Sequence, residues 1–240
     1  MPGLSEEEGN DLWGRTQGKI IAAKVGTSTS NNIAVIIRVR PFNSREKELN
    51  MGNCIEMHAA DPANHQCWIY DPNAKGAGTS QFRFDYCFDS FAPGTPNFID
   101  QKAVFESVGL DILAKAWSGY NACLFAYGQT GSGKTYSIMG YGDDKGVIPR
   151  ICDALFFFIT KVGSERFKVD ASYLEIYNEN IADLLCPNPG VKAYVPLKPK
   201  ERIKYEGDLK KLMKVPRRKT LPPTPLHACT HPTPPLSLYF

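Results

Sequence analysis

The spacing of apolar residues divides the chain into an α/β body and two ends of different character. Ile33, Val35, Ile37 and Val39 alternate along the first strong segment, and Ala34 and Ile36 are apolar between them. That pattern predicts a central strand buried on both faces, which Pro41 stops. Cys54–Met57, Cys67–Tyr70 and Phe82–Tyr86 carry shorter strand signals, the last placing Phe82, Phe84 and Tyr86 on one face. Asp71-Pro72-Asn73 and Gly76-Ala77-Gly78 are turns between them. From about Asp100 the period becomes helical. Val104, Val108, Ile112 and Ala116 form a stripe widened by Phe105, Leu113 and Trp117, with Asp100 as N-cap and Gly119 as stop. Ala122–Tyr127 is a short apolar run that predicts a second strand buried on both faces. A helix starts at Lys134, is broken over Gly140–Gly146, and resumes over Val147–Val162, where Val147, Ile151, Leu155 and Ile159 recur every four residues and Pro149 sits in the first turn. A strand over Phe167–Tyr177 and a short helical segment over Asn180–Leu185 complete the body.

The ends lack such periods. Residues 1–31 are acidic, then rich in Gly, Ser, Thr and Asn, and read as a mobile arm. Residues 191–219 hold eleven Lys or Arg against Glu201, Glu206 and Asp208, a basic segment. Residues 220–240 are Pro-rich and read as disordered. His227, Cys229 and His231 alternate there, but three ligands on a mobile chain have nothing to orient them, so no metal site is expected.

Composition changes little in this picture. The 240 residues are 42% hydrophobic and 22% charged, as in soluble globular proteins. A net charge of +3 gives no global argument for binding nucleic acid, and none is expected as a partner. Seven cysteines without a C-x-x-C pair suggest neither zinc nor a disulfide framework, and a reducing cytosol is the simpler reading. The acidic start is unlike a signal peptide, and no apolar run approaches the ~20 residues that span a bilayer, so direct membrane insertion is not expected.

Candidate chemistry concentrates in Gly128-Gln129-Thr130-Gly131-Ser132-Gly133-Lys134-Thr135, which fits the phosphate-loop pattern G-x-x-x-x-G-K-[ST] at every fixed position. The glycines let the backbone wrap phosphates, Lys134 would reach the β- and γ-phosphates, and the Thr135 hydroxyl would ligate Mg²⁺. Arg38 and Arg40 emerge at the carboxyl end of the first strand, where open α/β sheets bind ligands, although strand-end arginines paired with carboxylates would look the same.

Several stretches together resemble a kinesin motor domain. They are Arg38-Val39-Arg40-Pro41, Phe84–Asp89, Gly119–Ala122, Phe125–Tyr136, Gly146–Arg150 and Ser172–Glu179. The resemblance covers residues 32–190, and the run Pro41–Leu49 is most similar to the kinesin-3 group. It implies a P-loop NTPase of kinesin type: a mixed, mainly parallel sheet with helices on both faces. It implies ATP and Mg²⁺ as ligands, microtubules and tubulin as partners, and a cytoplasmic, cytoskeletal location. It places Arg38, Arg40 and Pro41 beside the adenine and Tyr136 over the base. Lys134 is then the catalytic cation.

The resemblance also implies elements that these 240 residues do not contain. Neither the switch I pattern Asn-x-x-Ser-Ser-Arg nor the switch II pattern Asp-x-x-Gly-x-Glu occurs. Asp143-Asp144-Lys145-Gly146 matches D-x-x-G by count but directly follows the phosphate-loop helix, so it is rejected. A GTPase reading is disfavoured because no Asn-Lys-x-Asp occurs. The expectation is the ATP-binding part of a microtubule motor, truncated before the switches and impaired in hydrolysis. The alternative is a non-motor fragment that binds tubulin or another partner through its basic segment. The family's absent strands include interior ones, so the retained strands are expected to expose edges, and the isolated chain to fold poorly.

Overall fold

The computed structural model describes residues 4–25, 33–58, 65–71, 79–167, 169, 173–178, 180–183 and 195–196. The chain divides into two compact units, 1–164 and 165–240.

The N-terminal arm, expected to be mobile, is helical instead. Glu6–Val25 forms α1, a 20-residue helix. Its start is a reciprocal cap. The Glu8 amide donates to Ser5 Oγ at 3.3 Å, and the Ser5 amide donates to the Glu8 carboxylate at 3.2 Å. The signal was present as Ser5-x-x-Glu8, the pattern of a capping box, but the acidic run hid it. Leu12, Thr16 and Ile20 lie on one face four residues apart and are buried.

They pack on two further helical elements. Asp100 caps α3 (Gln101–Val104) by accepting from the Ala103 amide at 2.7 Å. A π-helical turn, Phe105–Gly109, and α4 (Leu110–Trp117) continue the same rod. Gly119 ends it with φ +86°, a left-handed conformation that suits glycine. α6 (Val147–Val162) has the bounds its four-residue spacing predicts. Leu110, Leu113, Leu155 and Phe158 are sealed between these helices. Trp13 of α1, Trp117 of α4 and Phe158 of α6 meet edge to face, with centroids 4.9–5.6 Å apart. Lys19–Asp111 at 2.6 Å and Arg15–Glu106 at 3.2 Å border the contact.

The strands are shorter than expected. β1 (Ile36–Val39) pairs in parallel with β5 (Tyr86–Asp89), Arg38 opposite Phe88. Its predicted first residues lie outside the ladder, with Ile33 76% exposed. Between β1 and β2 (Ile55–His58), a short α2 (Ser44–Glu48) is closed by a capping box of Asn43 and Glu46. β2, β3 (Gln66–Ile69) and β4 (Ser80–Arg83) form an antiparallel meander. The single strand expected over Phe82–Tyr86 is instead the corner between β4 and β5, where Asp85 turns to accept the Val35 amide. A small core of Met57, Cys67 and Cys87, with Ile37, Val39, Ile55 and Phe84, joins the two sheets. α5 (Lys134–Ile138) is followed by a two-stranded hairpin, β6 (Gly140–Tyr141) and β7 (Asp144–Lys145), at the predicted break.

Ala122–Tyr127, expected to be a buried strand, lies outside every sheet among the described residues. It forms no strand, and Phe125 and Tyr127 are 81% and 96% exposed. The apolar pattern is that of a buried strand, but a strand needs neighbours to take its backbone donors and acceptors. Among the described residues none pairs with it, and β1 is paired only with β5. The expected mixed sheet is thus present in pieces.

In the second unit, β8 (Leu174–Tyr177) pairs antiparallel with β9 (Asn180–Asp183) around Asn178, at φ +44°. The short helix predicted over Asn180–Leu185 is therefore a strand where it is described. The tight turn at Asn178 feeds the chain back along β8, and that pairing overrides a weak local helical pattern. Val195–Pro196 adds β10 to β9. The rest of the basic segment and the Pro-rich tail, with His227, Cys229 and His231, lie outside the described residues.

Candidate phosphate-binding site

The phosphate loop runs from the exposed Ala122–Tyr127 segment into α5. Gly128, Gly131 and Gly133 have φ of +155°, +80° and +95°, values that L side chains rarely adopt. A Cβ on Gly128 would lie 2.5 Å from Ser132 Oγ, so the curl at that point also has no room for one. The Ser132 amide donates to the Gln129 carbonyl at 3.1 Å and closes the turn. Lys134 Nζ donates to the carbonyls of Gly128 and Gln129 at 2.8 and 2.9 Å. The ammonium thus spans the mouth of the loop. Thr130 lies in the loop's exposed turn, and Thr135 is exposed on the first turn of α5.

The strand-end arginines have different tasks. Arg40 makes a two-pronged pair with Glu46, both nitrogen–oxygen distances being 2.7 Å, and donates to the Pro41 carbonyl. This holds the Glu46 carboxyl down at about 2, chiefly through the Arg40 bond and then through the Asn43 amide. The Arg40 stem lies beside Gly133, 3.9 Å from where a Cβ would be. Pro41 is exposed just beyond β1.

Arg38 is half-buried and anchored at three points. It donates to Ser90 Oγ at 2.8 Å, Gln101 Oε1 at 2.7 Å and Ser137 Oγ at 2.9 Å. Its guanidinium carbon lies 5.4 Å from the centre of the Tyr136 ring. Burial pulls its proton affinity below the usual arginine value, with nearby Tyr136 and Asp144 opposing that. Gln101, 1% exposed, also donates from Nε2 to the Tyr136 carbonyl at 2.6 Å. One buried amide thus joins β1, the start of α3 and α5. The Tyr136 hydroxyl donates to Asp144, and burial followed by this bond raises its pKa.

The structure therefore brings Arg38 to Tyr136, Arg40 to Gly133, and Lys134 to Gly128 and Gln129. Sequence reading missed Gln101, Ser90, Ser137, Glu46, Tyr141 and Asp144. Glu46 was detectable as N3 of the Asn43 capping box. Gln101 gave no signal, because a polar residue at a helix start reads as solvated.

A glycine-curled loop with a lysine at its mouth, leading into a helix beside the end of a parallel strand, defines a P-loop NTPase fold. A family model for the kinesin motor domain matches residues 38–221, and the chain belongs to that family. It is 43% identical over 166 residues to Kinesin-related protein 1 of Dictyostelium discoideum, which covers 65% of this chain and 8% of that protein. Kinesin-like protein KIF13A of Mus musculus is 44% identical over 162 residues, 66% of this chain and 9% of that protein. Kinesin-like protein unc-104 of Caenorhabditis elegans is 41% identical over 165 residues, covering 67% and 10%. KIF13A and unc-104 are kinesin-3 members, the group that Pro41–Leu49 resembles. Among solved structures, KIF14 with ADP in complex with a microtubule aligns with a TM-score of 0.56 at 34% identity, covering 71% of this chain and 45% of that one. A KIF14 dimer with AMP-PNP on a microtubule aligns with a TM-score of 0.57 at 35% identity. The chain thus spans about a tenth of the curated relatives it matches and less than half of the solved motor chains.

Proposed function

We propose that this chain is the ATP-binding part of a kinesin-type microtubule motor, acting in the cytoplasm on the cytoskeleton. The observation that carries the reading is the phosphate loop with Lys134 across its mouth. The residues fit a nucleotide: three glycines leave the backbone free to wrap phosphates, and a cation, Lys134, bridges the curl. Gly128–Thr135 would hold the phosphates, with Lys134 exchanging its carbonyl partners for β- and γ-phosphate oxygens. The Thr135 hydroxyl would hold Mg²⁺. Arg38, Arg40 and Pro41 would line the base side and Tyr136 would cover the purine. MgATP, when bound, supplies the phosphoanhydride whose hydrolysis drives movement in this family.

Hydrolysis needs more than a cradle. The attacking water must be oriented and developing charge neutralised, and losing one such donor commonly costs ~10²–10³ in rate. These 240 residues hold neither switch pattern, so they account for nucleotide binding and leave the water-orienting groups unassigned. The eleven cations of 191–219 support a second reading, a fragment that meets the acidic tubulin surface by charge alone.

Calorimetry with MgADP and MgATP on the 240-residue chain tests the first reading. Binding that Lys134→Ala weakens at least tenfold is expected, and a folded chain that binds neither nucleotide overturns it. Microtubule co-sedimentation separates the readings: retention that differs between ADP and AMP-PNP is motor-like, whereas salt-sensitive retention blind to nucleotide favours the basic fragment.

A further inference from the structure

We propose that Asp144 and Tyr141, on the β6–β7 hairpin, are positioning residues for the nucleotide base: they fix the Tyr136 ring in the orientation that receives a purine. This rests on the adenine-nucleotide reading of the phosphate loop and adds the hairpin to it.

α5 has only five residues, so its backbone alone sets the Tyr136 ring poorly. Four separate contacts set it instead. Gln101 holds the Tyr136 carbonyl at 2.6 Å. The hydroxyl donates to the Asp144 carboxylate. The ring has the Arg38 guanidinium 5.4 Å from its centre and the Tyr141 ring 6.0 Å away at 32°. A tyrosine hydroxyl near the surface bonds water at no loss, so a bond to a carboxylate on another element orients the ring more than it stabilises the chain.

The acceptor is itself held. Tyr141 pairs with Asp144 and Gly140 with Lys145 across the hairpin. At Gly140, φ +77°, a Cβ would lie 2.1 Å from the Asp144 carbonyl oxygen, so the two strands close only on a glycine. The Gly146 amide donates to the Met139 carbonyl at 2.9 Å. Lys145 Nζ reaches Asp153 of α6 at 2.6 Å, and Arg150 Nε donates to the Lys145 carbonyl at 2.8 Å. α6 therefore fixes the hairpin, the hairpin fixes Asp144, and Asp144 fixes the ring. Tyr141, 66% exposed, lies beside the ring. A flat aromatic surface beside a guanidinium, one residue past a phosphate loop, suits a purine and gives nothing to the phosphates.

The test compares ligands with and without a base. On the 240-residue chain, Asp144→Ala is expected to weaken MgADP binding about tenfold, a fold-change of the size one oriented hydrogen bond gives, and to leave inorganic tripolyphosphate within twofold. Asp144→Asn, which keeps an acceptor oxygen, should recover most of the loss. Tyr136→Phe should match Asp144→Ala, and the double variant should be no worse than either, because both remove one interaction. Equal losses for MgADP and tripolyphosphate, or additive losses in the double variant, overturn the proposal. Wild-type chain that binds neither ligand overturns the nucleotide reading itself, a different result. Hydrogen exchange without ligand gives an independent check. The Tyr141–Gly146 amides, held from α6, should exchange no faster in Tyr136→Phe, and faster exchange overturns that order of support.

Discussion

The helical layer and the segment feeding the phosphate loop contain similar side chains with opposite fates. Trp13, Trp117 and Phe158 interlock between three helices. Phe125 and Tyr127, within ten residues of Trp117 in sequence, are among the most exposed aromatics of the described residues. A helix satisfies its backbone internally and needs only a packed face, whereas a buried strand needs partners on both edges. The α6 pattern was therefore sufficient for its structure, and the Ala122–Tyr127 pattern was not. Among the described residues, the helical contacts are closed, whereas the run before the phosphate loop lacks the strand neighbours that its pattern requires.

The largest expected effect lies in the helical layer. Phe158→Ala removes a fully buried ring and should cost about 3–5 kcal/mol by chemical denaturation. A loss under 1 kcal/mol would mean that the three-ring contact is not a core. Thr16 is also fully buried, and its hydroxyl has no hydrogen-bond partner among the described residues. Thr16→Val should therefore stabilise the chain by about 1 kcal/mol, and a destabilised variant would show that the hydroxyl is satisfied in solution. In the open region, Phe125→Ser with Tyr127→Ser should change stability by no more than about 0.5 kcal/mol, while raising solubility in a concentration series. A large loss there would place these rings in a core after all.

The smallest effect is one of pH. The Arg40 pair depresses the Glu46 carboxyl from 4.5 to about 2 in the folded chain. A depressed carboxyl contributes stability that is fully present above 4.5 and lost as pH falls through 2. Glu46→Gln should flatten the acid limb of the stability profile between those values and leave the profile above pH 5 parallel to wild type. The pair is near the surface, so its weight is modest.

These contrasts also show what the sequence made legible. The phosphate loop was complete in eight residues because its chemistry demands fixed glycines and a lysine. α6 was legible to the residue because four-residue spacing and Gly146 bound it. Arg38 stood out as a strand-end charge, but its task did not, since its partners Ser90, Gln101 and Ser137 come from three separate places. α1 was missed because acidic composition outweighed the Ser5–Glu8 cap, and because its buried face is read only against α4 and α6. β9 was missed because pairing with β8 decided what local propensity left open.

The thiols give the contrast between the two regions a chemical form. Cys123 lies exposed in the open run before the phosphate loop, while Cys87 has no exposed surface and burial, with Cys67 next, pushes its thiol up to about 11. A thiol alkylates through its thiolate and only when reagent reaches it. These two thiols therefore act as two clocks. A maleimide reaches the exposed Cys123 directly and Cys87 only as often as the joint between the two sheets opens, so one reaction mixture times the local breathing of the core against an open site.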